Sequence, residues 1–130
     1  MPSAVDILSK FYNNEGWEEV DGITEDAKRY EDLRECARIY ISKCRLRLLN
    51  YIPLKGKNFL DIGSGPIQYP EYLEYSKNYS KRFCVDLSSK ALEEAENKLG
   101  NHGEYFLGSF FDIKLKKNSF DCAVTLHTIY

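Results

Sequence analysis

The spacing of apolar residues changes character about 55 residues into the chain. Before that point they recur at helical intervals. Ile7, Leu8 and Phe11 share one face of a helix expected over 3–14, and Leu33, Cys36, Ala37, Tyr40, Cys44 and Leu48 form a stripe along a second over about 32–50. Residues 13–17 read as a turn, followed by a polar stretch through Gly22 to Asp26. Asp32 and Glu35 have the spacing of a capping box, with Asp in place of Ser or Thr, and Pro53 and Gly56 close the helix.

After that point short apolar runs alternate with helical stretches. Residues 59–62, 82–86, 105–107 and 120–126 read as strands. A helix is expected from Pro70, a residue suited to the first helical position. Another is expected after Ser88 or Ser89, with Ala91, Leu92, Ala95 and Leu99 inward and Gly100 as its stop. Alternating strands and helices predict an α/β domain: a Rossmann-like parallel sheet of about four strands with flanking helices on both faces. The whole chain, 1–130, reads as one domain, with 1–53 a helical lid or flank and 54–130 the core.

Composition narrows the partners. With 18 basic and 20 acidic residues and no long block of either sign, the basic footprint of a nucleic-acid binder is missing. The apolar runs are far too short to span a membrane, and the first residues lack a basic region followed by an apolar run. Cysteines at 36, 44, 84 and 122 form no CxxC pair, the usage of reduced thiols in the cytoplasm. No metal site is expected. Ten tyrosines suit core edges or an aromatic-lined pocket.

In an open parallel sheet, ligands bind beyond the carboxyl ends of the strands. Three features fall there. Asp61-x-Gly63-x-Gly65 follows the first strand, where glycines permit a tight turn and close approach of a ligand, and the next helix is expected to aim its amides at the same place. Asp86 lies 21 residues beyond Gly65, at the end of the second strand, where an acid accepts hydrogen bonds from ribose hydroxyls. Gly108, Ser109 and Phe110 follow the third strand, where an adenine needs an edge contact and an apolar wall. A tight turn with no ligand explains the glycines alone; the three features together point to a nucleoside-containing ligand. Position 68 is Gln68 rather than the third glycine of G-x-G-x-x-G, and the Asp61 carboxylate suits a sulfonium and an ammonium group better than a pyrophosphate.

The segments Asn58 to Gly65, Val85 to Ser88, Gly108 to Phe110 and Ser119 to His127 resemble, in order, the motifs of class I S-adenosylmethionine-dependent methyltransferases. The runs Gly65 to Pro70 and Glu31 to Arg34 resemble an uncharacterised bacterial group of small-molecule type. That resemblance implies strand order 3-2-1-4 and S-adenosylmethionine as cofactor. Gly63 and Gly65 would pass the methionine moiety and Asp61 would reach its ammonium group through water. Asp86 would hold the ribose, Leu87 would pack on the adenine, and Ser109 and Phe110 would flank it. The backbone at Leu126 or His127 would line the methionine end. Pro66 and Ile67 replace a third glycine, and Ser109 stands where many members have Asp, leaving the adenine amine to backbone or to Asp112.

His127 and Tyr130 lie where a base could sit, His127 being the weak candidate and a pocket-shaping role its plainer reading. Tyr12 and Trp17 cap the cofactor or merely pack the N-terminal helix. Arg34 and Arg45 steer an anionic acceptor or are solvated helix-face charges. The family's seven strands in order 3-2-1-4-5-7-6 exceed those legible here, so a truncated domain is expected, its fourth strand paired with another chain, most simply in a homodimer. A small-molecule acceptor is expected and nucleic acid is not. The competing functions are a catalytically silent S-adenosylmethionine-binding module and an NAD-dependent oxidoreductase domain.

Overall fold

The computed structural model describes residues 1–126 and 128. Helix α1, Ala4–Phe11, starts at a reciprocal capping box between Ser3 and Asp6. It ends earlier than its apolar spacing predicts, because the chain widens into a π-helical turn over Tyr12–Gly16. Gly16 is buried there, and a side chain on it would run into the Tyr12 and Phe11 rings.

The stretch expected to be a polar connection is a hairpin followed by a helix. Strands β1, Glu19–Val20, and β2, Ile23–Thr24, are antiparallel. Asp21 and Gly22 turn between them with φ of 56° and 78°, the left-handed pair of a two-residue hairpin. Thr24 then caps α2, Glu25–Tyr30, by accepting from the Ala27 amide.

Helix α3 covers Glu35–Arg47 and the chain tightens into a 3-10 turn over Leu48–Asn50. The capping box does not form. Asp32 Oδ1 accepts from the Arg34 amide at 3.1 Å and the carboxylate pairs with the Arg34 guanidinium at 2.7 Å, leaving Arg34 at the cap. The packed stripe is also rotated from the expected one. Ala37, Cys44 and Leu48 are half-buried while Leu33, Cys36 and Tyr40 are exposed.

Strands β3 (Gly56–Ile62), β4 (Tyr79–Asp86), β5 (Gly103–Leu107) and β6 (Cys122–Thr125) form one parallel sheet in the order β5-β4-β3-β6. This is the expected 3-2-1-4 order. Between the strands lie α4, Pro70–Glu74, with proline in its first turn, and α5, Ser89–Leu99, capped by Ser88 and stopped at Gly100.

Both helices lie on one face, contrary to the expectation of helices on both. The crossovers β3-α4-β4 and β4-α5-β5 step in the same direction along the sheet, and right-handed crossovers that step the same way put their helices on the same side. The return from β5 to β6 through 108–121 carries no helix. On the helical face, Phe59, Ile52, Tyr75 and Tyr79 form one buried cluster and Ile67, Cys84, Leu92 and Ala95 another. The buried tyrosines keep their hydroxyls satisfied: Tyr75 donates to Arg45 O and Tyr79 to Pro53 O. The opposite face carries Leu60, Phe83, Val85 and Phe106, and Phe120 from the return loop packs edge-on against Phe83.

Candidate functional site

The three strand ends meet at one residue. Asp86, the last residue of β4, accepts from the Gly65 amide at 2.8 Å through Oδ2 and from the Ser88 amide at 2.9 Å through Oδ1. Its own carbonyl accepts from the Gly108 amide at 2.9 Å. One residue thus ties together the loop after β3, the start of α5 and the loop after β5. Burial raises the Asp86 pKa, and the two amide donors oppose that shift. Each carboxylate oxygen has a further lone pair, so the group can still accept from a pair of neighbouring hydroxyls.

The glycine loop is held across β4, where Val85 O accepts from both the Gly63 and Ser64 amides. Gly63 and Gly65 have φ of 68° and 57°, the left-handed region that favours glycine. A third left-handed residue follows at Ile67, φ 53°, where a β-branched side chain is strained. The backbone therefore takes a glycine-like conformation where the sequence offers isoleucine, and 99% burial of that side chain offsets the strain. The helix after the turn starts at Pro70, as its sequence predicts. Residues 66–69 intervene, and α4 is only five residues long.

Asp61 does not present a free charge. It is 2% exposed, and its Oδ2 accepts from Arg82 Nη2 at 2.5 Å and Nε at 3.1 Å. Arg82, 1% exposed, also donates through Nη1 to Tyr72 O and Ser76 Oγ. Paired in this way, the Asp61 carboxylate does not select a cationic ligand by uncompensated charge, contrary to the expectation from sequence. Arg82 escaped notice in the sequence because it lies in a run read simply as strand. The available signal was a guanidinium inside an apolar strand with an acid on the neighbouring one.

Leu87 is half-buried, and its carbonyl accepts from Ser9 Oγ at 3.0 Å. Ser109 turns the loop after β5, its carbonyl accepting from the Asp112 and Ile113 amides, with Phe110 37% exposed beside it. Leu126 packs its side chain on the Phe59 cluster, leaving only its backbone for a ligand. Thr128 lies over the glycine loop: a side chain on Gly63 would overlap it. His127 and Tyr130 lie outside the described residues.

The N-terminal segment covers these loops through contacts that sequence spacing did not suggest. Asn13 Oδ1 accepts from Ser88 Oγ at 2.9 Å, from Ser89 Oγ at 3.2 Å and from the Lys90 amide at 3.4 Å, capping α5 from outside. The Trp17 ring approaches Gly65 and stacks on Tyr12, with centroids 5.2 Å apart. Tyr12 donates to Asp26 Oδ1 at 3.1 Å; burial, then Asp26, raises its pKa. Arg34 is exposed and paired with Asp32. Arg45 is half-buried, pairing with Glu31 at 3.2 Å and lying 3.4 Å above the centre of the Tyr69 ring. Its role in the fold is to hold α3 against the loop that follows the glycines. A cleft of about 420 Å³ opens beside that loop, lined in part by Trp17, Thr24, Gln68, Tyr69, Lys90 and Glu94.

Residues 60–130 match the family described as a methyltransferase domain. Among curated proteins no sequence matches. Solved structures share the fold. Phosphoethanolamine N-methyltransferase 1 of Haemonchus contortus, in complex with phosphoethanolamine and S-adenosylhomocysteine, aligns with TM-score 0.64 and 16% identity over 94% of this chain and 24% of its own. Geranyl diphosphate C-methyltransferase of Streptomyces coelicolor, with Mg2+, geranyl diphosphate and S-adenosyl-L-homocysteine, aligns with TM-score 0.61 and 14% identity over 95% and 55%. A SAM-dependent methyltransferase of Leishmania major gives 0.61 and 16% over 92% and 46%. The chain thus spans between a quarter and just over half of these structures' length.

Proposed function

The chain belongs to the methyltransferase domain family, and on that premise we propose that it binds S-adenosylmethionine at the carboxyl ends of β3, β4 and β5 and serves methyl transfer to a small-molecule acceptor. The observation that carries this reading is the convergence on Asp86 of the glycine loop, the start of α5 and the loop after β5.

The residues fit the cofactor. Asp86 accepts from the ribose hydroxyls with the lone pairs that Gly65 and Ser88 leave unused, and its existing bonds fix the carboxylate before the ligand arrives. Gly63 and Gly65 supply the left-handed turn that carries the backbone past the methionine part, with Thr128 and Trp17 packed where their Cβ atoms would stand. Leu87 packs on the adenine, Ser109 and Phe110 flank it, and the backbone at Leu126 borders the methionine end. Asp61 has only Oδ1 to offer the ammonium group through water, since Oδ2 is engaged by Arg82.

S-adenosylmethionine, when bound, supplies a methyl carbon already activated by its sulfonium. The protein's part is then to hold cofactor and nucleophile in line and keep water out. Asp86 and the glycine loop do the first; Ser9, Asn13, Tyr12 and Trp17, which pin the N-terminal segment over the loops, do the second. A base is needed only for an acceptor that must lose its proton during transfer, and His127 is the candidate the sequence offers for it. We place the protein in the cytoplasm, where its four free thiols stay reduced. Among the described residues no helix is long and apolar enough to cross a membrane. Strand β6 pairs with β3 on one side, and we assign its other side to a second chain, most simply in a homodimer. Light scattering that found a stable monomer at micromolar concentration would contradict this pairing.

Calorimetry with S-adenosylhomocysteine and with NAD tests the central reading. Saturable binding of S-adenosylhomocysteine, lost in Asp86→Ala, is expected; binding of NAD alone would make the domain an oxidoreductase module. Transfer of label from methyl-labelled cofactor to any acceptor separates an enzyme from a silent binding module.

A further inference from the structure

Trp17 is the only tryptophan of the chain. Its Cη2 and Cζ2 lie 3.2 Å from the point where a side chain on Gly65 would begin, so the indole is in contact with the glycine that a ligand's backbone contacts require. Its Nε1 is buried and has no hydrogen-bond partner among the described residues. A buried donor left without an acceptor is costly, and native proteins keep few unless something outside the chain completes them.

The indole is held firmly on its other side. It stacks on Tyr12, whose hydroxyl is fixed by Asp26, and the same segment is bound to Leu87 and Ser88 through Ser9 and Asn13. The residues next to Asp86, which would hold the ribose, therefore also set the position of the indole. Most cations close to the loop are already engaged, although Lys90 lines the cleft beside Trp17. Residues 63–69 contain no lysine or arginine, Arg82 is committed to Asp61, and Lys98 donates to Pro66 O and Ile67 O. For a carboxylate arriving at this end of the site, the indole N–H is a neutral donor already in place.

We propose that Trp17 is a cofactor-site residue, closing the glycine-loop end of the site and donating its indole N–H to the carboxylate of the cofactor's amino-acid part. This rests on the cofactor reading above. It predicts that Trp17 discriminates between nucleosides with and without that amino-acid part.

Calorimetry of wild type and Trp17→Phe tests it with two ligands, S-adenosylhomocysteine and 5′-methylthioadenosine, which lacks the amino-acid part. Phenylalanine keeps a ring against Gly65 and removes the donor. The substitution should weaken S-adenosylhomocysteine roughly 10- to 100-fold, as expected for a hydrogen bond to a charged group, and leave methylthioadenosine unchanged. Equal losses for both ligands, or no loss for either, would overturn the proposal. Should Trp17→Phe not fold, judged by its thermal transition, the wild-type indole emission serves instead. It should shift with S-adenosylhomocysteine and not with methylthioadenosine, and equal responses would overturn the proposal. Wild type that bound neither ligand would remove the cofactor reading itself, and this inference with it.

Discussion

The centre of the sheet and the segment that covers its carboxyl ends are held together by different means. Within β3 and β4, Phe59, Cys84 and Val85 are almost wholly buried, and even the charged pair Asp61 and Arg82 is enclosed. The cover, residues 1–30, exposes much of Ile7, Leu8, Val20 and Tyr30, and it reaches the core through single side chains: Ser9, Asn13, Trp17 and Thr24. The sheet cannot lose a member without an energetic cost spread over many contacts. The cover can lift from the ligand edge by breaking a few hydrogen bonds, each worth about 0.5–1.5 kcal/mol. A site that must admit and then enclose a cofactor is served by that asymmetry.

The largest effect should come from breaking the enclosed pair. Arg82→Met leaves Asp61 buried without its partner and should cost about 3–5 kcal/mol in urea denaturation, while Asp61→Asn combined with Arg82→Met should recover most of the loss. A loss under 1 kcal/mol for the single change would mean that the sheet centre is as loosely held as the cover.

Ile67 sharpens the comparison at the boundary between the two regions. Ile67→Ala should lose about 2–4 kcal/mol through the emptied core position. Ile67→Gly should be more stable than the alanine variant by about 1 kcal/mol, the reverse of the usual order, because the left-handed backbone at this position favours glycine. Equal stabilities in thermal unfolding would show that the backbone relaxes.

On the cover, Asn13→Ala removes the outer cap of α5 and should cost about 1 kcal/mol. Limited proteolysis should then cut within residues 1–30 faster, with the urea midpoint of the sheet nearly unchanged. A matching fall in both would join cover and sheet into one cooperative unit.

The smallest effect concerns pH at Asp86. Burial raises its pKa, so its contribution to stability is fully present below about pH 4, the unfolded aspartate value, and is lost as pH rises through the raised folded value. Ribose capture needs the ionised form and should run the other way, with S-adenosylhomocysteine affinity falling as pH drops through that raised value. Affinity that held constant down to pH 4 would remove Asp86 from the site.

The sheet was legible because its information is local. Apolar runs bounded by glycines, and the spacing from Gly65 to Asp86, mark β3, β4 and the loop between strand and helix without knowledge of distant contacts. Ser88 and Gly100 set the ends of α5 in the same way. The cover is poorly legible for the opposite reason. Asp21-Gly22 was a readable turn signal, but the apolar stripe of α3 was rotated by what it packs against, namely Leu48, Leu49 and Arg45 meeting α4 and the Tyr69 loop. The charge of Asp61 was misjudged because its meaning depends on Arg82, 21 residues away and adjacent only once the strands pair. The left-handed turn at Ile67 is likewise invisible in an isoleucine.

The most direct test of a cofactor site at the ends of β3, β4 and β5 is amide hydrogen exchange with and without S-adenosylhomocysteine. New protection should concentrate in residues 63–65, 86–88 and 107–110, with a weaker signal at 9–17 where the cover closes. Binding that left these three loops unprotected, or protected only the Tyr69 cleft, would contradict the account.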